Sequence, residues 1–206
     1  MEATCWSDYL CPWCYVGQDR SELMRSLGLA VVHRPFELHP EIPPAGRTLR
    51  PDGRLSRTFA RVAEACEAAG LPFQAPTRMP NTRRALETAE WVRVHHPGAS
   101  DAVHAGIFHA HFAAGLAIDA PEVLDDIVRG AGAPVDEVRG AISQGDASAL
   151  VEASMADARA AGVSGTPAWV LADGFTIPGA LDRATLERWV TKLVARAAQA
   201  GSSPAT

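Results

Sequence analysis

Two cysteines three residues apart, Cys11 and Cys14, stand in the phrase "WSDYLCPWCYVG" with Pro12 and Trp13 between them. Thiols at this spacing exchange with disulfides, supply half of a zinc site, or have no function. Exchange needs one sulfur held as thiolate and a second within reach of it. A four-ligand zinc site needs a second pair, another CxxC or an HxxxH. Cys5 and Cys66 stand alone, and the seven histidines, at 33, 39, 95, 96, 104, 109 and 111, form no HxxxH. No metal site is expected.

The elements around the pair must supply the thiolate. Residues 2–7 read as a short buried strand, and Pro12 suits the first turn of a helix ending at Gly28. Cys11 then lies beside unpaired backbone N–H groups and the positive end of the helix dipole. In such settings a thiol pKa falls from about 8.5 to about 3.5–7.5. Cys14 follows one turn deeper on the same side. Cys11 is therefore expected to be the exposed, attacking sulfur and Cys14 the more buried, resolving one.

"LAVVHRPFEL" reads as a second strand, which completes a strand–helix–strand unit. The proline-rich residues 39–53 read as a loop, and a run of helices follows as far as Gly162. In its first helix Leu55, Phe59, Val62, Cys66 and Ala69 share a face, and Asn81 or Thr82 is placed to cap the next. Strand character returns at 168–171 and 175–177 around the turn signal "ADG". A last helix places Leu186, Trp189, Val190, Leu193 and Val194 on one face. Strands at both chain ends must pair to form a sheet. That predicts one α/β domain, discontinuous in sequence (1–44 and 160–200), around an all-helical insertion at 45–159, with a disordered tail at 201–206.

Composition narrows the partners. The 206 residues carry a net charge of -5, and their arginines are scattered, with Lys192 the only lysine. Nothing favours nucleic acid or an acidic membrane surface. No stretch approaches the ~20 apolar residues of a membrane span. "MEATCWSDY" lacks the basic and apolar regions of a secretory signal, so a complete chain is expected in the cytoplasm, where structural disulfides are uncommon.

A second phrase, "GVSGTPAWVL", sets Thr166–Pro167 at the start of a strand, where proline's missing N–H costs no ladder bond. Its isomer is open from local sequence. With "RPFELHPEIPPAG", the two phrases resemble the DsbA-like thioredoxin-fold oxidoreductases, of the FrnE-like branch, over nearly the whole chain. The resemblance implies a thioredoxin-like fold with a helical insertion and a redox pair in which Cys11 is nucleophile and Cys14 resolving partner. It also implies that Pro167 is a cis-proline facing the disulfide and that Thr166 offers backbone groups to an extended substrate. Many relatives carry an apolar residue before this proline, so Thr166 bears on partner preference and redox potential rather than on reaction type.

Other residues have two readings. Asp8 is a candidate proton acceptor or a cap for the turn entering the helix. Glu37 is a second candidate acceptor if its strand carries it under the cysteines. Trp13, with Pro12 beside it, is expected to be exposed and to touch substrate. Cys5 and Cys66 read as small buried hydrophobes. Ile107, Phe108 and Phe112 read as packing residues, with His104, His109 and His111 mostly solvated or hydrogen-bonded near the groove between insertion and core.

The function expected is thiol–disulfide exchange with protein or small-thiol substrates, with no bound cofactor and with glutathione as a candidate redox partner. A cytoplasmic setting favours reduction or isomerisation over net oxidation. One alternative is a glutathione-linked enzyme of the kappa-class transferase or hydroxychromene-carboxylate isomerase type, which generally has serine at the Cys11 position. Another is a peptide-binding chaperone on the same fold.

Overall fold

The computed structural model describes residues 1–50, 53, 55–179 and 181–201. Its sheet has the order β2-β1-β5-β6, built from β1 (Glu2–Ser7), β2 (Ala30–Pro35), β5 (Ala168–Leu171) and β6 (Thr176–Pro178). β1 runs parallel to β2, linked by helix α1 (Pro12–Ser26), and antiparallel to β5. β5 turns back into β6 at Gly174, whose φ of 84° favours glycine. The chain's two ends therefore meet at the centre of one sheet.

Period-two alternation sorts the central strands onto two faces. Ala3, Cys5, Trp169 and Leu171 pack with Met24 of α1 and with Leu186 and Val190 of α8 (Arg183–Gly201). Trp6, Ala168 and Val170 pack on the other face with Phe36, Ala158 and Val163. Ala158 belongs to α7 (Asp146–Ala160), whose Ser154 hydroxyl donates to the Pro35 carbonyl at 2.8 Å. The last helix of the 45–159 block thus forms one layer of the sheet sandwich.

The rest of that block comprises α2 (Ser56–Ala69), α3 (Arg83–His95), α4 (Pro97–Phe112), α5 (Pro121–Gly130) and α6 (Val135–Gln144). Val103, Ile107, Phe108 and Phe112 of α4 are fully buried, as their packing role requires. They share a core with Cys11, Cys14 and Tyr15, so the start of α1 is gripped by the helical block and its end by the sheet. Among the described residues no helix is long and apolar enough to cross a membrane.

Several local expectations change. The second strand stops at Pro35; the Phe36 N–H still donates to the Ser7 carbonyl at 2.9 Å, but the N–H groups of Glu37 and Leu38 turn away to the Met155 sulfur and the Asp8 carboxylate. The proline-rich loop contains β3 (Arg47–Thr48), which pairs with β4 (Arg78–Met79) in a two-residue ladder. Too few residues are involved for alternation to signal it. β6 begins at Thr176, and Phe175 stays exposed against Trp189 with ring centroids 6.1 Å apart. Trp189 thus leaves the buried face of α8 that Leu186 and Val190 occupy. α8 continues to Gly201, and residues 202–206 lie outside the described residues.

Candidate active site

The turn from β1 into α1 is closed by the Cys11 N–H donating to the Asp8 carbonyl at 3.0 Å. Cys11 is the N-cap residue, with extended backbone, and Pro12 opens the helix. From the other side the Thr166–Pro167 peptide bond, which is cis, brings the Thr166 carbonyl to the pair. The Cys11 thiol donates to that carbonyl, with sulfur and oxygen 3.6 Å apart. This loop is held from behind. Trp169 packs on Gly17 of α1 and donates through Nε1 to the Ser21 hydroxyl at 3.1 Å. Gly179 passes so close that a β-carbon there would lie 2.3 Å from the Pro167 carbonyl oxygen.

The two sulfurs are driven apart in acidity. The Cys14 thiol, by its hydrogen bond to the Cys11 sulfur, holds the Cys11 pKa below its ordinary value. Burial opposes this, while Thr166 and the Cys14 N–H add to the lowering. Burial pushes the Cys14 thiol well up, and its bond to Cys11 adds to the rise. The Thr166 hydroxyl is itself buried with no partner of good geometry. Contrary to the expected exposure, Cys11 is only 6% accessible, against 3% for Cys14. The helical block covers the helix start, and Cys11 reaches solvent through a cavity.

That cavity, about 180 Å³, is lined by Cys11, Pro12, Trp13, Leu38, Phe59 and His111 among others. It is mostly apolar and could seat one side chain or ring, since a cavity of about 150 Å³ takes benzene. On the other side of Trp13 lies a more open hollow of about 420 Å³ lined by Arg61, Gly165, Thr166, Pro167 and Gly179. Trp13 is partly buried between the two rather than exposed, because the α2 side packs against it. The Arg61 guanidinium sits over its ring, 5.6 Å from the centroid.

The carboxylates separate. Asp8 is fully buried, and its oxygens accept from the Leu38 N–H at 2.7 Å and the Leu10 N–H at 3.3 Å. Burial raises its pKa to about 6, against the lowering effect of these donors and the Thr82 hydroxyl. Its charge is felt at Cys11. Its turn-capping bond goes to Leu10, and α1 has no side-chain cap. Glu37 instead accepts from Arg83 at 3.0 Å, in a cluster where Arg83 also holds Glu87 and Glu152. The chain beyond β2 turns Glu37 toward α3 and presents the neighbouring Leu38 to the site, its N–H to Asp8 and its side chain to the cavity.

Two of the three clustered histidines are buried rather than solvated. His104 bonds the Tyr9 hydroxyl at 3.0 Å and stacks on His33 with centroids 4.0 Å apart. His111 lines the apolar cavity, while His109 is exposed. The histidines deepest in the fold lose basicity to burial, with His111 lowered to about 4. Arg61, Gly179 and Thr82 are site residues that the sequence reading passed over. Arg61 and Thr82 meet the site only through tertiary packing. The "IPGA" glycine after the last strand could have been suspected of a close backbone approach.

A strand, a dithiol at the start of a helix and a facing cis-proline loop define a thioredoxin-type site. The DSBA-like thioredoxin domain family matches residues 3–190, and the chain belongs to that family. No curated protein sequence matches significantly. Among solved structures the chain is similar to a probable DsbA oxidoreductase from Streptomyces coelicolor, at 23% identity and a TM-score of 0.83, covering 100% of this chain and 93% of that one. It is similar to the cytosolic disulfide reductase DsbM of Pseudomonas aeruginosa, solved with GSH, at 20% identity and 0.67, covering 96% and 99%. A 2-hydroxychromene-2-carboxylate isomerase aligns at 20% identity and 0.77, covering 98% and 100%. At these identities the likeness concerns the fold.

Proposed function

We propose that the protein is a thiol–disulfide oxidoreductase, acting as a reductase or isomerase in the cytoplasm, with Cys11 as nucleophile and Cys14 as resolving thiol. The observation that carries this is the opposed acidity of the two sulfurs at a helix start, beside the carbonyl that precedes cis-Pro167. The Cys11 thiolate attacks a substrate disulfide, forms a mixed disulfide and releases one substrate thiolate, which takes up a proton. Cys14 gives its proton to the Asp8 carboxylate, whose pKa near 6 suits a base at neutral pH, and attacks the Cys11 sulfur. The second substrate thiolate leaves. Two electrons have passed to the substrate, and the pair is left as a disulfide.

The Thr166 backbone offers an edge for an extended substrate, with Trp13 and Pro12 as apolar contacts. Glutathione is the proposed reductant, with no bound cofactor, and the cytosolic DsbM neighbour supports this setting. The thioredoxin-like part is assigned to 1–44 and 160–200, around the insertion at 45–159. A glutathione-linked isomerase is the second reading, favoured by the apolar cavity beside Cys11 and the isomerase neighbour.

The test is Cys14→Ser. A mixed disulfide trapped at Cys11, with a reversible two-electron couple of the unaltered protein in glutathione buffers, is expected. Absence of both rejects the oxidoreductase. Glutathione-dependent turnover of a small molecule that survives Cys14→Ser supports the isomerase.

A further inference from the structure

Two arginines near the site are committed to carboxylates. Arg78 is held by Asp119, and Arg83 by Glu37, Glu87 and Glu152. Arg61 differs. Among the described residues its only partner is the Trp13 ring, and the hollow it lines beside cis-Pro167 contains no carboxylate. An unpaired guanidinium parked on an indole is partly ordered before anything binds, so less side-chain entropy is lost when it does. The chain as a whole carries a charge of -5, which repels an anionic partner at long range. A local cation in an acid-free hollow reverses that repulsion along the Gly165–Thr166 edge, across Trp13 from the cavity that opens on Cys11.

We infer that Arg61 is a specificity-determining residue that selects disulfide partners bearing a carboxylate close to the reacting sulfur. The guanidinium fork matches a carboxylate in a bidentate geometry that lysine lacks. A substrate laid along Gly165–Thr166 with its sulfur at Cys11 carries its neighbouring groups past Trp13 toward Arg61. The carboxylate belongs either to a small acidic thiol such as glutathione or to an acidic residue beside a cysteine in a protein. The inference rests on the disulfide-exchange reading and adds to it a charge preference.

The experiment measures oxidation of the reduced full chain by glutathione disulfide, neutral 2-hydroxyethyl disulfide and cationic cystamine. Arg61→Ala is expected to slow the reaction with glutathione disulfide about tenfold, equivalent to about 1.4 kcal/mol, and to leave the neutral disulfide unchanged. Arg61→Glu is expected to deepen that loss and to speed cystamine, and Arg61→Lys to restore the rate in part. Equal slowing of all three disulfides would mean that Arg61 only props Trp13, and no slowing would mean that it does nothing; either overturns the inference. Failure of all three to oxidise the unaltered pair instead rejects the exchange reading, and the inference falls with it. Peptide disulfides with Glu or Gln beside the cysteine separate the sources. A Glu preference lost in Arg61→Ala assigns the anion to protein substrates, and no such preference, with the glutathione effect intact, assigns it to the small thiol.

Discussion

Cys66 and Cys11 are buried in the same hydrophobic cluster, yet burial pushes the Cys66 thiol up to about 11 while Cys11 is held below its ordinary value. Cys66 lies in the last turn of α2, where N–H groups are spent on helical bonds and no donor offsets desolvation. Cys11 lies at an N-cap, where the Cys14 N–H and thiol point at its sulfur. Cys5, in the interior of β1, behaves like Cys66, and its thiol is raised strongly by burial. Burial alone makes a cysteine inert. Burial at a helix start, with a second thiol donating to the sulfur, makes a nucleophile.

Substitutions can break that contrast, and the largest effect is expected at Cys11 itself. Cys11→Ser should reduce exchange to background in a glutathione disulfide assay, while Cys66→Ala and Cys5→Ala leave it unchanged.

Next comes the buried carboxyl. Asp8 titrates at about 6 in the fold and near 3.8 unfolded. Between those values the folded state holds the extra proton, so stability falls as pH rises, by about 3 kcal/mol in all. Asp8→Asn should remove that dependence and raise stability at pH 7.5 by up to this amount, less any hydrogen bond that Asn cannot accept. Urea unfolding at pH 4 and pH 7.5 measures the difference. Disulfide closure by Cys14 should slow in the same variant. The buried histidines act with the opposite sign. His33, lowered to about 3, and His104, lowered further from its usual range by burial, take up protons first in the unfolded chain. Stability from this source falls as pH drops below about 6.5, so acid unfolding should steepen in Asp8→Asn.

Two glycines flank the cis-proline and sharpen the comparison on its other side. A β-carbon at Gly179 meets the Pro167 carbonyl, whereas one at Gly165 meets nothing within 4 Å. Gly179→Ala should cost about 1–3 kcal/mol and lower the exchange rate, while Gly165→Ala leaves stability nearly intact; thermal melts separate them. Thr166→Val should have the smallest effect on the fold, about 1 kcal/mol or less, because the hydroxyl it removes has no well-formed bond. The Cys11 pKa should rise in that variant, since Thr166 is one of the groups lowering it.

The parts of this site legible in the sequence are those where short-range chemistry and position coincide. Pro12 after Cys11 marks the helix start, and strand character at both chain ends, around a helical middle, marks the sheet that joins them. What escaped depends on tertiary packing. Thr82 sat at a helix start like any capping residue, but its hydroxyl goes to Asp8, and Asn81 accepts from the Arg83 N–H at 3.0 Å instead. Glu37 is engaged by Arg83, 46 residues away, a pairing that no local pattern signals. The burial of Cys11 has the same cause, because nothing local to the CxxC announces that Leu38, Leu55, Phe59 and His111, distant in sequence, close around it.

The most direct test of the central claim is the pH dependence of alkylation at each cysteine of the reduced protein, read by mass spectrometry of the labelled peptides. Cys11 should react first, with a midpoint below that of an ordinary thiol, while Cys5, Cys14 and Cys66 resist until the protein unfolds. A Cys11 midpoint at or above the ordinary value, or labelling of Cys66 ahead of it, would contradict the account.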